Sequence, residues 1–175
     1  MGDGPIRRRS MLERLIPAMR LDLALYREVG ADRLAGGQAF LVVLLSGISN
    51  GLALSGPLGN LGMTAGVAAA LLGWVLWAFV ILVVARIAGH HRDRRSLLRA
   101  LGFADAPGIV LALGGVPRVG SLLRSLIVVW LLATTARAIE AVYDVPRRRA
   151  AVMTLIVFVI YLVIGAISGY FAAGA

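Results

Sequence analysis

The sequence contains no cysteine and no lysine. Without cysteine there are no disulfides, thiolate nucleophiles or cysteine-based metal sites. Without lysine, every fixed positive charge is a guanidinium, and a membrane serine protease of the serine–lysine type has no base. Charge itself is scarce. Charged residues make up 15% of the 175, against roughly 25% in an ordinary soluble domain. Apolar residues make up 59%, and mean hydropathy is +0.87. A soluble domain of this size buries only roughly two-thirds of the surface its unfolded chain exposes, so it has nowhere to hide so much apolar surface. Disorder is excluded by the same composition. What is left is a chain that lives in a bilayer.

The 18 arginines outnumber the 9 acidic residues, for a net charge of +9. They bracket apolar stretches rather than forming one basic stripe, which points to membrane orientation and away from nucleic acid. Arginine-only usage with abundant Ala and Gly suggests a bacterial source and hence a cytoplasmic (inner) membrane. Arg8-Arg9-Ser10-Met11-Leu12 superficially matches a twin-arginine export signal. Glu13, Arg14, Arg20 and Asp22 interrupt the apolar stretch that such a signal needs, so the first span is expected to stay in place.

Residues 1–37 form a basic, partly amphipathic segment. Leu12, Leu15, Ile16, Met19, Leu23 and Tyr26 recur at helical spacing, and Pro17 is expected to split the pattern in two. This segment reads either as an interfacial helix on the cytoplasmic leaflet or as a solubilising tail docked on the bundle. Leu34–Ala85 then runs 52 residues without a charge. As one helix it would measure about 78 Å against a hydrocarbon core of about 30 Å, so it must fold back, and Ser55-Gly56-Pro57-Leu58-Gly59-Asn60 supplies the turn. The expected fold is all-α: an integral membrane domain over 38–175 with five transmembrane helices, at about 38–54, 63–85, 100–117, 121–143 and 151–173. The third is short, holds Asp105 and Pro107, and is kinked or begins at the interface. With the N-terminus cytoplasmic and the C-terminus external, 16 arginines lie inside and only Arg118 and Arg124 outside. Three spans plus a re-entrant hairpin have the same parity; the 23 residues of 121–143 favour five.

The third segment opens Gly102-Phe103-Ala104-Asp105-Ala106-Pro107. With five clustered apolar segments, minimal loops and a basic start, it resembles the Yip-domain family (the Ypt/Rab-interacting type), whose motif is Gly-Tyr-x-x-x-Pro at this point. Gly102, Phe103 and Pro107 occupy its positions, with Phe for Tyr, and the likeness covers roughly residues 20–173. The resemblance implies five spans, a cytoplasmic N-terminus and, in eukaryotic members, membrane trafficking with binding of small GTPases. The eukaryotic Asp-Leu-Tyr-Gly-Pro signature and long N-terminal region are absent here, so GTPase binding is not carried over. On physical grounds Gly102 permits close helix approach, and Pro107 frees the carbonyl of Phe103, which must find a partner.

Further residues attract attention. Gly47, Gly51, Gly73, Gly165 and Gly169 lie on small-residue stripes suited to packing within the chain or between copies. Asp105, Arg124, Arg137 and Glu140 are the ionisable groups in or near spans. They read as a polar cavity for a headgroup, an ion or a proton path, or as snorkelling span ends. Arg92, Arg94, Arg95, Arg147, Arg148 and Arg149 are candidate contacts for anionic lipid headgroups. His90 and His91 are adjacent and point about 100° apart on a helix, a poor metal pair. No catalytic motif is present, and no metal or cofactor is expected. The expected function is non-enzymatic: membrane organisation or trafficking through recognition of lipids or a partner membrane protein, with homo-oligomers allowed. A small transporter, lipid-moving protein or channel is the alternative.

Overall fold

A computed structural model describes residues 9–115 and 120–173; side chains at 54–58, 60, 113–115, 120–121, 165 and 167–173 fall outside the description. The elements run α1 (Met11–Met19), α2 (Leu23–Ala31), α3 (Ala35–Leu58), α4 (Asn60–Ile87), α5 (Arg94–Ala104), a 3-10 helix (Ala106–Gly115), α6 (Gly120–Tyr143) and α7 (Arg147–Ala173). No strand occurs among the described residues.

Ser10 and Glu13 start α1 as a reciprocal cap, each side chain meeting the other's backbone N–H. Pro17 does not split this helix. It lies in the last turn, where it deletes a single backbone donor, and the break comes at Leu21, whose φ is +63°. Asp22 then caps α2 through the Ala24 N–H. The expected six-residue turn between the first two long helices is also shorter. Both helices run on until Gly59, in the left-handed region, reverses the chain alone. Ser96 lies inside α5, which begins at Arg94.

Among the described residues three helices are long and apolar enough to cross a membrane: Ala35–Ala53, Leu61–Ile87 and Leu122–Tyr143. They match the expected first, second and fourth spans closely. Leu72, Phe79, Leu126, Val129, Leu155, Val159 and Leu162 form an exposed apolar surface on α4, α6 and α7, as required where the solvent is lipid. The expected third span is not one continuous α-helix. It is α5 followed, after Asp105, by ten residues of 3-10 helix.

Packing is closest between α3 and α4. A Cβ added at Gly47 would stand 2.9 Å from the Ala70 Cβ, and one at Gly51 would stand 2.8 Å from the Met63 Cα. From the other side Gly66 meets the backbone of Gly51. Part of the small-residue pattern thus serves contact within the chain. Gly73 has nothing within 4 Å of an added Cβ, so no neighbouring helix presses on that position. Gly165 and Gly169 lie outside the described side chains. From α1 onwards the N-terminal segment is docked on the bundle. Leu25, Tyr26 and Val29 of α2 share one buried cluster with Leu97 and Phe103 of α5 and Ile139 of α6.

Candidate functional site

The bend after α5 organises the centre of the bundle. Gly102 lies against α3, where an added Cβ would meet the Ala39 Cβ at 2.6 Å and its Cα at 3.0 Å. Phe103 is fully buried. The helix ends at Asp105, whose N–H returns to the carbonyls of Leu101 and Phe103. The expectation that Pro107 would orphan the Phe103 carbonyl is therefore corrected. Pro107 sits in the first turn of the 3-10 helix, where residue i+3 donates to residue i, so its missing N–H leaves the Ala104 carbonyl without a backbone donor. The carbonyl needing outside help is Ala104's, and it accepts from the Thr134 hydroxyl of α6 at 2.7 Å.

Beside this bend lies a cavity of about 440 Å³ between α3, α4, α5, the 3-10 helix, α6 and α7. Asp105, Ser46, Asn50 and Thr135 supply its polar atoms; Trp74, Trp77, Phe158 and Tyr161 supply aromatic walls. The Ser46 hydroxyl and the Asp105 carboxyl are neighbours, both beside Gly108. Gly108 makes room, because any side chain there would occupy the position of the Ser46 Oγ. Gly73 borders the same space.

Arg137 and Glu140 do not join this cavity. They pair at 2.8 Å on one face of α6 and line a second, smaller groove of about 270 Å³. Arg147 lies on the same groove, whose apolar walls include Leu21, Leu132 and Leu155; Leu132 borders both spaces. Arg124 is apart from both and reaches the Ala53 carbonyl at 3.4 Å, near the end of α3. Arg92, Arg94, Arg95, Arg148 and Arg149 are exposed. His90 stands near the Tyr143 ring, with centroids 6.3 Å apart.

Two arginines counted in sequence as surface charge are structural. Arg14 is buried and bridges Glu28 at 2.9 Å and Asp32 at 2.8 Å, while its other nitrogen donates to Gln38 at 2.8 Å. Burial opposes its charge, but hydrogen bonds and attraction from Asp32 and Glu28 outweigh that and raise its pKa. Arg99 donates to the Val29 carbonyl at 3.2 Å and to that of Gly30, closing the end of α2. No sequence signal marked Arg14: Leu12 and Ile16, which belong to the apolar pattern of α1, are exposed, while Arg14 is buried with Ala18. Arg99 did carry a signal, sitting among Leu97, Ala100 and Leu101. Burial also raises the pKa of the Tyr26 hydroxyl, which donates to the Ala18 carbonyl at 2.9 Å. Trp74 and Trp77, three apart on α4, marked the cavity wall in sequence and were not singled out there.

Compared with known proteins, residues 25–168 match the family model described as the Yip1 domain. No curated protein and no solved structure matches.

Proposed function

The chain belongs to the Yip1 domain family, and from that premise we propose that it is a non-enzymatic integral membrane protein that recognises lipids of its own bilayer, in the service of membrane organisation or trafficking. One observation carries the reading: the groove between α6 and α7. It has apolar walls of Leu132 and Leu155, suited to an acyl chain; Arg137 is paired there with Glu140, so Arg147 is the guanidinium offered to a phosphate. Arg147 opens α7, so the positive end of the helix dipole adds to its guanidinium. A phosphate here would gain charge-assisted hydrogen bonds that a neutral group cannot. Arg148 and Arg149 extend the attraction outward. The groove is expected to face the cytoplasmic leaflet, with the N-terminus on that side, the C-terminus external and five spans overall.

The test is lipid retention. The chain purified from nanodiscs of mixed phosphatidylglycerol and phosphatidylcholine should be enriched in the anionic lipid, and Arg147→Gln should remove most of the enrichment. Equal retention of both lipids by the native chain would end this reading. The cavity beside Asp105 favours a second one, a small transporter or lipid-moving protein, because a space inside a bundle is what passage needs. Flux of solutes or lipids across reconstituted vesicles decides it.

A further inference from the structure

The larger cavity has a chemistry opposite to that of the arginine groove. Its polar centre is a carboxylate, and the nearby walls are aromatic. Asp105 belongs to none of the five ion pairs found among the described residues; these use Glu28, Asp32, Asp144 and Glu140. Inside an apolar bundle a carboxyl group is unfavourable as an anion and keeps its proton unless a cation is there to answer the charge. No arginine or histidine is among the lining residues.

The geometry says which kind of cation fits. Gly47 packs on Ala70, so Ser46, and Asp105 with it, lies near the level of Ala70 on α4. Trp74 stands one turn further along, about 6 Å towards Ile87. Its indole N–H is held by the Leu98 carbonyl at 3.2 Å, which fixes the ring. Beyond it, Trp77 and Tyr161 meet edge to face with centroids 5.5 Å apart. Asp105, Trp74 and Trp77 line the same cavity, so a cation held by Asp105 shares that space with aromatic rings, whose attraction for a cation acts within about 6 Å of the ring centre. A bare metal ion would want a shell of six or more oxygens, and this wall is mostly apolar. An alkylated ammonium needs one counter-ion and greasy surroundings, and the volume lies within the usual range for small-molecule sites.

We propose that this cavity binds an organic ammonium group, with Asp105 as its counter-ion and Trp74 as its aromatic face. The group can come from a choline or ethanolamine lipid headgroup or from a free amine. The site is independent of the arginine groove and survives the failure of that reading.

The test is equilibrium binding of radiolabelled choline to the full chain in phosphatidylglycerol nanodiscs, which carry no ammonium. Saturable binding is expected, weakened about tenfold or more by Asp105→Asn and by Trp74→Leu, with Trp74→Phe retaining part of it. Asp105→Asn keeps the size of the side chain and a partner for Ser46. Dimethylbutanol, the uncharged isostere of choline, should not compete, and Arg147→Gln should change nothing. Phosphatidylcholine or phosphatidylethanolamine in the disc should displace choline if headgroups are the source; failure to displace it assigns the site to free amines. The proposal is overturned if choline does not bind, if Asp105→Asn binds choline as the native chain does, or if dimethylbutanol competes equally. Should Asp105→Asn fail to fold, the isostere competition on the native chain still decides.

Discussion

The end of the molecule built from α1, α2 and the start of α5 differs in kind from the middle of the bundle. At that end, helices of 9 to 11 residues are held by directional bonds. Arg14 ties α1 to α2 and α3, Arg99 closes α2, and the Trp130 indole N–H donates to the Met19 carbonyl at 2.9 Å. In the middle, α3 and α4 are long and apolar and adhere through absent side chains, with Gly47, Gly51 and Gly66 letting backbones touch. The difference follows the solvent. Short helices are marginal by themselves and need tertiary ties, whereas between apolar helices in lipid the hydrophobic effect adds nothing and close contact must do the holding.

That contrast can be broken from either side. The largest effect is expected from Gly66→Val, which drives a branched side chain into the Gly51 backbone. It should destabilise the bundle by roughly 3 kcal/mol, read as a lower thermal midpoint in detergent. Arg14→Met comes next. Glu28 and Asp32 keep about a third of their side-chain surface exposed, so water softens the loss to about 2 kcal/mol. Here the damage should be local, with protease cutting near α1 before the bundle melts. Thr134→Val keeps the shape but leaves the Ala104 carbonyl without its closest donor, at about 1 to 2 kcal/mol.

The smaller effects concern two tyrosines. Tyr26 must stay neutral in the folded protein, because burial raises its pKa above the ordinary 10.0. Its contribution is complete below about pH 10 and is lost progressively above it. Native protein should therefore lose more stability than Tyr26→Phe between about pH 9 and about pH 11, followed by thermal midpoints at each pH. The Tyr143 hydroxyl is buried and has no hydrogen-bond partner among the described residues. Tyr143→Phe should accordingly be neutral or stabilising by up to about 1 kcal/mol. A clear loss would show that this hydroxyl works with a partner.

Much of this was legible in the residues because a bilayer imposes coarse rules. A stretch such as Leu61–Ile87 has one stable home, and its ends could be read to within a few residues. The motif Gly102–Pro107 marked the place where the chain bends. The details of that bend were not legible. Pro107 drew attention to the carbonyl of Phe103, yet the α-helix stopped at Ala104 and the chain went on as a 3-10 helix, so the missing proline donor left Ala104 open instead, and Thr134 met it from across the bundle. Asp105 and the Arg137–Glu140 pair were candidates for one polar site. They occupy two spaces, because α6 turns Thr135 towards one and Ala136, Arg137 and Glu140 towards the other. Arg14 and Arg99 looked like surface charge because a count of arginines carries no direction.

Composition and periodicity alone determined that this chain is helical, that it belongs in a membrane and which stretches are greasy enough to enter it. These depend on solvation, a property each segment carries with it. The tertiary structure alone decided which arginines are buried ties, which glycines touch a neighbour and which carboxyl faces an aromatic-walled space. These depend on what stands opposite, and a partner across the bundle is set by how the helices pack together.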